Sequence, residues 1–377
     1  MVLSDYDVGK SIYDVSTLEH RVVKLITTHL SRISNIIRTS LFPMAPLFVQ
    51  ILLLATVVAS ASLETRARRT SPPAGCLVVG GSGKYRTVQS GVDALSTSST
   101  TAQCIFIHKG TYNEQVYIPQ LQSALTLYGE TTDTRSFAAN TVTIAQGKSQ
   151  DDSPNNDQTA TLRAHTPNLK VYNINLVNTR GQGSQALAVS AQKDKQGYYG
   201  CQFRGYQDTI LAQDGSHIFA KSYIEGATDF IFGQRAKAWF ENADIRVLAA
   251  SIGYITANGR DSSSNPSYYV INKSTVSAKS GDNVKSGAYY LGRPWRNYAR
   301  VVFQQTSLSK VVNAAGWRIW NEGDERTDHV EFGEFGNTGD GSKGTRANFA
   351  RKLPTAVDIS AVLGTDFKDW VDTAYLS

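Results

Sequence analysis

The sequence predicts an all-β fold, a right-handed single-stranded parallel β-helix, on three observations. Polar residues recur at a near-constant interval: Asp208, in Tyr206-Gln-Asp-Thr-Ile210, is followed by Asp229, in Asp229-Phe-Ile-Phe-Gly233, and Gln185 is followed by Gln207 at almost the same separation. Both intervals fall within a solenoid repeat, which runs about 20–30 residues. From residue 168 to 312, short β-branched and aromatic runs alternate with turns carrying Gly, Asn and Asp. No segment of helical period interrupts them, which argues against a βαβ fold. Stacked strands lie about 4.8 Å apart. One turn of such a coil places Asp229 beside Asp208 and Gln185 beside Gln207, so two carboxylates and two amides converge on one outer face.

The elements follow in order. Met44 to Ala61 holds an apolar stretch that ends in Ala59-Ser-Ala61, a small-x-small cleavage pattern. It is too short for a membrane span, which needs roughly 20 apolar residues, and reads as a signal peptide over 44–61. Residues 1–43 read as an extension upstream of Met44 or as a long n-region. Arg66-Ala-Arg-Arg69 marks 62–69 as a possible short pro-segment, or a solvated linker, ahead of one catalytic unit over 70–377. Gln89–Leu95 reads as a short helix covering the open end of the coil, where strand edges need a lid. Strands are expected at Cys104–His108, Val116–Ile118 and Leu125–Tyr128, then a projecting polar loop over 145–160. Further strands are expected at Leu169–Val177, Ala186–Ser190, Tyr198–Phe203, Thr209–Ala212, Ser216–Ala220, Asp229–Phe232, Ala238–Phe240, Gly253–Thr256, Tyr268–Ile271, Ala288–Leu291 and Val301–Gln304. After residue 313 the repeat degrades, and Trp317, Trp320, a Gly-rich stretch and Trp370 suggest a C-terminal tail packed on the coil.

Composition narrows the function. The 377-residue chain is 41% hydrophobic and 19% charged, enough to bury a core. A net charge of +6, with scattered Lys and Arg, leaves no nucleic-acid footprint. It is compatible with an anionic polymer. Cys76, Cys104 and Cys201 are odd in number and form no CxxC or Cys/His cluster, so no metal site is expected, and the fold is not expected to depend on disulfides. Cys201, in a strand-like run, reads as a buried thiol. Asn272-Lys-Ser274 is the one glycosylation sequon, inside an expected strand.

Two carboxylates one strand spacing apart cannot both ionise freely, so one becomes an acid while the other serves as a nucleophile. Two Gln amides suit a developing oxyanion. Taken alone, the spacing also fits a structural polar ladder, or a retaining glycosidase, whose carboxyl groups stand about 5 Å apart.

The motifs Gly110-Thr-Tyr-Asn-Glu114, Gln185-Ala-Leu-Ala-Val189, Tyr206-Gln-Asp-Thr-Ile210, Asp229-Phe-Ile-Phe-Gly233 and Leu291-Gly-Arg-Pro-Trp295 occur in this order. Together they resemble the pectin methylesterases, and most of all the fungal ones, over about residues 70–375. The resemblance implies hydrolysis of the methyl esters of polygalacturonate to pectate and methanol. It implies Asp229 as nucleophile, Asp208 as acid then base, Gln185 and Gln207 as oxyanion donors, and Arg293 as the partner orienting the nucleophile. Trp295, Phe232 and Tyr206 are the implied sugar contacts. It implies no cofactor and no metal, and methyl-esterified homogalacturonan as partner, with neither nucleic acid nor membrane. The expectation is a secreted, extracellular monomer. Position 210 is Ile where Leu is commoner, and the large inhibitor-like pro-region of many plant members does not fit within residues 1–69. The rival readings are a lyase or hydrolase of polygalacturonate on the same scaffold, or a non-catalytic polysaccharide-binding solenoid.

Overall fold

The structure, a computed structural model, describes residues 67–376. The segments read as an upstream extension (1–43), a signal peptide (44–61) and most of a pro-segment (62–69) lie outside the described residues. Arg69 lies inside them and belongs to the fold. It pairs through its backbone with Thr131, donates from its side chain to the Gly129 carbonyl and to Asn173 Oδ1, and lies over Tyr128. The folded unit therefore includes Arg69 rather than beginning at Thr70.

Parallel strands stack into three long sheets of eleven, seven and eight strands, each strand pairing with its counterpart in the next turn. This is a parallel β-helix. Its rungs are not uniform. Gln196 pairs with His217, a short step along the chain, whereas Trp239 pairs with Val270 and Val270 with Val302, so the later rungs are longer.

Two of the expected strands are each two strands. Leu169–Val177 splits into Leu169–Tyr172 and Asn175–Asn178, and Tyr198–Phe203 into Gln196–Tyr199 and Gln202–Arg204. The chain turns a corner between sheets through a residue in the left-handed region: Asn173 (φ 54), Gly200 (φ 58), then Lys221, Asn242, Lys273 and Gln305 (φ 47–50) in successive rungs. Asn tolerates this region because its side chain is short and polar, and Gly because it has no Cβ. Each corner N–H donates to a carbonyl one rung on, as Asn173 does to Tyr199 and Lys221 to Glu241. The corner explains why the eight-stranded sheet is hard to see in sequence. Its short strands follow directly after those of the eleven-stranded sheet.

Inside the coil, side chains at matching register form ladders. Tyr198, Phe219 and Phe240 are register partners and stack at 4.8 Å per step, the strand spacing itself. Helix α1 (Val88–Asp93) closes the first rung as expected, buries Val88 and Val92, and is held at its start by a capping box of Thr87 and Ser90. Glu114 also accepts the Val88 and Gln89 N–H groups, so the last residue of the first sequence motif is a helix cap rather than a site residue. The projecting loop carries a single helical turn, α2 (Asn156–Thr159).

The expectation of independence from disulfides is corrected. Cys76 and Cys104 form a disulfide, with Cα atoms 4.7 Å apart. Leu77 pairs with Ile105, so the two cysteines are adjacent in the first two rungs. Cys201 is a buried free thiol, pushed by burial up to about 12. Asn272 is buried, donates to Glu241 and accepts from Gln304, so the sequon is committed to packing in the folded protein.

The ordered coil reaches beyond residue 313. Glu331–Phe335 and Ala350–Lys352 extend the eleven-stranded sheet, and Trp317 is a core residue stacked on Phe332 at 4.3 Å. Only the segment after them is a tail. Its helices α3 (Ile359–Leu363) and α4 (Phe367–Trp370) bury Val362, Leu363, Phe367 and Trp370 against Tyr172, Tyr199, Ile218, Trp239, Val270 and Val302 on the outer face of that sheet.

Candidate active site

The seven-stranded sheet carries the site. Its strands are Val116–Ile118, Leu162–Ala164, Val189–Ala191, Ile210–Ala212, Ile231–Gly233, Gly253–Asn258 and Tyr289–Pro294. Val189, Ile210 and Ile231 point into the core. The alternate row, Arg163, Ser190, Leu211, Phe232, Ala257 and Arg293 in register, faces outward.

Asp208 and Asp229 stand just ahead of two of these strands, both in the left-handed region, at φ 64 and φ 49. Gln207 bridges Thr228, and Ile210 pairs with Ile231, so the two aspartates occupy the same corner one rung apart. Gln185 and Gln207 are also one rung apart: Ala186 donates to the Gln207 carbonyl as Asp208 does to that of Thr228. Gly233, at φ 141, ends the Asp229 strand. A Cβ there would meet the Ala212 carbonyl at 1.9 Å, so only glycine lets the rungs close at this point.

Asn156, Gln185, Gln207, Asp208, Asp229, Phe232, Ala257, Arg293, Trp295 and Trp320 line one pocket of about 290 Å³. Seven of the eight expected site residues thus meet. Tyr206 does not line the pocket. Its hydroxyl donates to the Ala249 carbonyl and its ring packs on the core, as a strand-flanking Tyr does when its two ends have partners. A wider groove of about 810 Å³ beside it, lined among others by Gln234, Asp261, Asp324 and Arg326, has Asp324 paired to Arg326 and no buried acid pair. The smaller pocket is the one that gathers the buried acid pair.

Asp208 and Asp229 are 7% and 8% exposed. Arg293 grips Asp229 with Nε to Oδ1 at 3.0 Å and Nη2 to Oδ2 at 2.6 Å. The guanidinium itself is sandwiched by the rings of Tyr254 and Trp320 at 4.1 and 4.2 Å. Burial pushes the Asp208 carboxyl well above the usual carboxylate range, the Asp229 charge adds to this, and Arg293 opposes it. Burial raises Asp229 too, against the hydrogen bonds and charge of Arg293. Only Asp229 has a cation in contact, so the proton of the pair resides on Asp208. Neither Gln185 nor Gln207 has a protein partner for its side-chain amide among the described residues, and both are partly exposed to the pocket. Trp295 and Phe232 pack with tilted rings at 6.1 Å, and Trp295 is laid against Gly259, where a Cβ would meet its ring at 2.7 Å. No group of three or more metal-ligating side chains occurs among the described residues.

A buried acid pair, one member clamped by arginine, with two unpartnered amides and aromatic walls, suits nucleophilic attack on an ester of a sugar acid. The pectinesterase family model matches residues 76–354. The chain belongs to the pectinesterase family. It is 53% identical over 313 residues to a pectinesterase of Aspergillus aculeatus, covering 82% of this chain and 95% of the relative, and 51% identical over 327 residues to one of Aspergillus niger, covering 86% and 99%. The crystal structure of an Aspergillus niger pectin methylesterase superposes with a TM-score of 0.77 at 41% identity, covering 82% of this chain and 100% of that one. Carrot pectin methylesterase gives 0.73 at 29% identity, covering 80% and 97%. Like those pectinesterases, this chain is an enzyme of ester hydrolysis on pectin.

Sequence reasoning missed Tyr254, Trp320 and Asn156. It places Trp320 in a tail, yet this ring follows core Trp317 on the rung that covers Arg293. The Trp-x-x-Trp spacing was the available signal: across it the chain passes from the core to the outer face.

Proposed function

We propose that this pectinesterase works through a covalent acyl-enzyme on Asp229. The Asp229 carboxylate attacks the methyl-ester carbonyl carbon of a galacturonate unit, and the Gln185 and Gln207 amides receive the charge on the carbonyl oxygen. The carbon–methoxy bond breaks, Asp208 gives its proton to the departing oxygen, and methanol leaves. Asp208, now a carboxylate, takes a proton from water. The hydroxide attacks the mixed anhydride, freeing the Asp229 carboxylate and a galacturonic acid, which sheds its proton to solvent. The proton stays on Asp208, which restores the starting state. Arg293 keeps Asp229 ionised and aimed, while Trp295 and Phe232 pack on sugar rings. The single observation that carries this reading is the asymmetry of the pair: a bidentate arginine on Asp229 and none on Asp208.

The enzyme acts outside the cell, on methyl-esterified homogalacturonan of plant walls, as a monomer that needs no metal or organic cofactor. The apolar segment at 44–61 and the Cys76–Cys104 disulfide, of a kind that persists in oxidising compartments, support secretion. The test is methanol release from highly methylated pectin with EDTA present. Methanol that appears without chain shortening supports the esterase. Unsaturated ends or new reducing ends would replace it with a lyase or a hydrolase.

A further inference from the structure

The segment between Gln146 and Ala160, expected as a plain projecting loop, reaches into the reactive face at two points. The Gln150 backbone N–H donates to the Gln185 carbonyl at 3.0 Å. The Gln150 side-chain amide donates to Asn156 Oδ1 at 2.6 Å, which turns Asn156 Nδ2 toward Asp208 Oδ2 at 3.5 Å. Among the described residues no other side chain hydrogen-bonds the Asp208 carboxyl.

The next residue fixes this arrangement. Asn156 and Asp157 open the single turn of α2. Asp157 Oδ2 accepts both Nε and Nη2 of Arg163, at 3.0 and 2.7 Å. Its Oδ1 accepts Ser190 Oγ at 2.7 Å and lies 2.9 Å from His165 Nε2. Arg163 and Ser190 stand in the same outward row as Arg293. That row therefore uses one device twice, an arginine gripping an aspartate. Arg293 grips the reacting carboxylate, and Arg163 grips a carboxylate that ties down the segment carrying Asn156. The hydrogen bonds hold Asp157 down at about 2 despite its burial, so the tie stays charged across the working range.

We propose that Asn156 is a positioning residue for Asp208, steadying its Oδ2 and donating to the carboxylate once the proton has left, with Asp157 as the anchor that keeps Asn156 in place. This rests on the reading of Asp208 as the acid. A neutral carboxyl is a weak acceptor, which fits the long 3.5 Å contact of the resting site; a carboxylate draws the donor in. The charged groups facing Asp208 are Asp229 and Arg293. Those facing Asp157 are Arg163 and His165. The segment's own charges have other partners: Lys148 with Gln115, Asp151 with Arg180, and Asp152 with the Ser149 N–H.

The experiment is the pH profile of kcat and kcat/KM for methanol release by the parent, Asn156→Ala, Asn156→Asp, Asp157→Asn and Asp208→Asn, each checked for cooperative melting. Donation by Asn156 favours the carboxylate form of Asp208, so its loss raises the pH at which Asp208 gives up its proton. Asn156→Ala should lower kcat about tenfold with KM nearly unchanged, and move the basic limb of kcat/KM up by about half to one pH unit. Asn156→Asp keeps the shape and the Gln150 contact but sets a like charge against Asp208, so its limb should move further the same way. Asp157→Asn should show a smaller version of the alanine result. If Asp208→Asn is inactive while the limbs of both Asn156 variants superimpose on the parent's, the positioning role is wrong and the assignment of Asp208 stands. If Asp208→Asn still turns over, that assignment fails and this proposal fails with it.

Discussion

Two corners of the same coil use one backbone conformation for opposite ends. At one, Asn173, Gly200, Lys221, Asn242, Lys273 and Gln305 stack in the left-handed region and turn the chain between sheets. At the other, Asp208 and Asp229 adopt the same conformation one rung apart, and there it aims two nearly buried carboxyls into one pocket. Backbone strain is thus a routine cost of folding this coil and by itself marks no function. What separates the corners is the surroundings. The first carries no carboxylate, and its N–H groups each donate to a carbonyl one rung on. The second holds two buried acids and one arginine that serves only one of them.

That contrast can be broken at either corner. The largest effect is expected for Asp229→Ala. Methanol release should fall by at least about 10³-fold while the protein melts near the parent temperature, since the corner survives without the carboxylate. Near-normal turnover would remove Asp229 as nucleophile. Next, separating Cys76 from Cys104 by Cys→Ser at both positions should cost about 3.6 kcal/mol by the entropy of closing a loop of that length. Because the disulfide joins only the first rungs, kcat of the folded fraction should hold; a matching fall in kcat would mean that the coil end and the pocket are coupled.

Arg293→Lys keeps the charge but loses the bidentate grip and the ring sandwich. Asp229 must be ionised to attack, and Arg293 is what opposes the upward push of burial. The acid limb of kcat/KM should therefore move to higher pH, with about a 10–30-fold fall at its optimum. The basic limb belongs to the proton on Asp208, already well above the usual carboxylate range. An unmoved acid limb would show that Arg293 does not set the Asp229 charge. The smallest effect is expected at the other corner: Lys221→Val puts a β-branched residue in the left-handed region and should cost about 1–2 kcal/mol, with activity per folded molecule unchanged. A loss of specific activity there would erase the distinction between the corners.

The juxtaposition of the two aspartates was legible in sequence because the coil is locally periodic. Where the rung is short and regular, as from Asp208 to Asp229, spacing alone predicts juxtaposition. The same rule fails where the rung lengthens. Trp320 and Arg293 lie beyond the point at which the rungs grow, so the motif around Arg293 was recognisable by resemblance, but the aromatic lid over it was not. Strand ends blurred at Asn173 and Gly200 because a left-handed corner takes up so little chain that the β-rich run looks unbroken. The disulfide was missed for want of register, since Cys76 and Cys104 become neighbours only once Leu77 is known to pair with Ile105. Asn156 carried no signal at all, since its meaning comes from the Asp157 tie to Arg163, His165 and Ser190.

The C-terminal tail has a consequence for how such a stack opens. In a solenoid each rung touches only its two neighbours, so rungs can peel from an end one at a time. Here the tail lies along the coil rather than across its end, with Phe367, Trp370 and Tyr375 bedded on apolar side chains from the rung of Tyr172 to that of Val302. Tyr375 also donates to the Thr134 carbonyl and packs its ring on Tyr199, close to where Arg69 lies over Tyr172. The tail works as a longitudinal splint. Fraying any rung beneath it requires lifting the splint from all of them, so amide exchange along the middle of the coil should report one shared opening event instead of a gradient, and clipping the chain after Lys352 should restore the gradient.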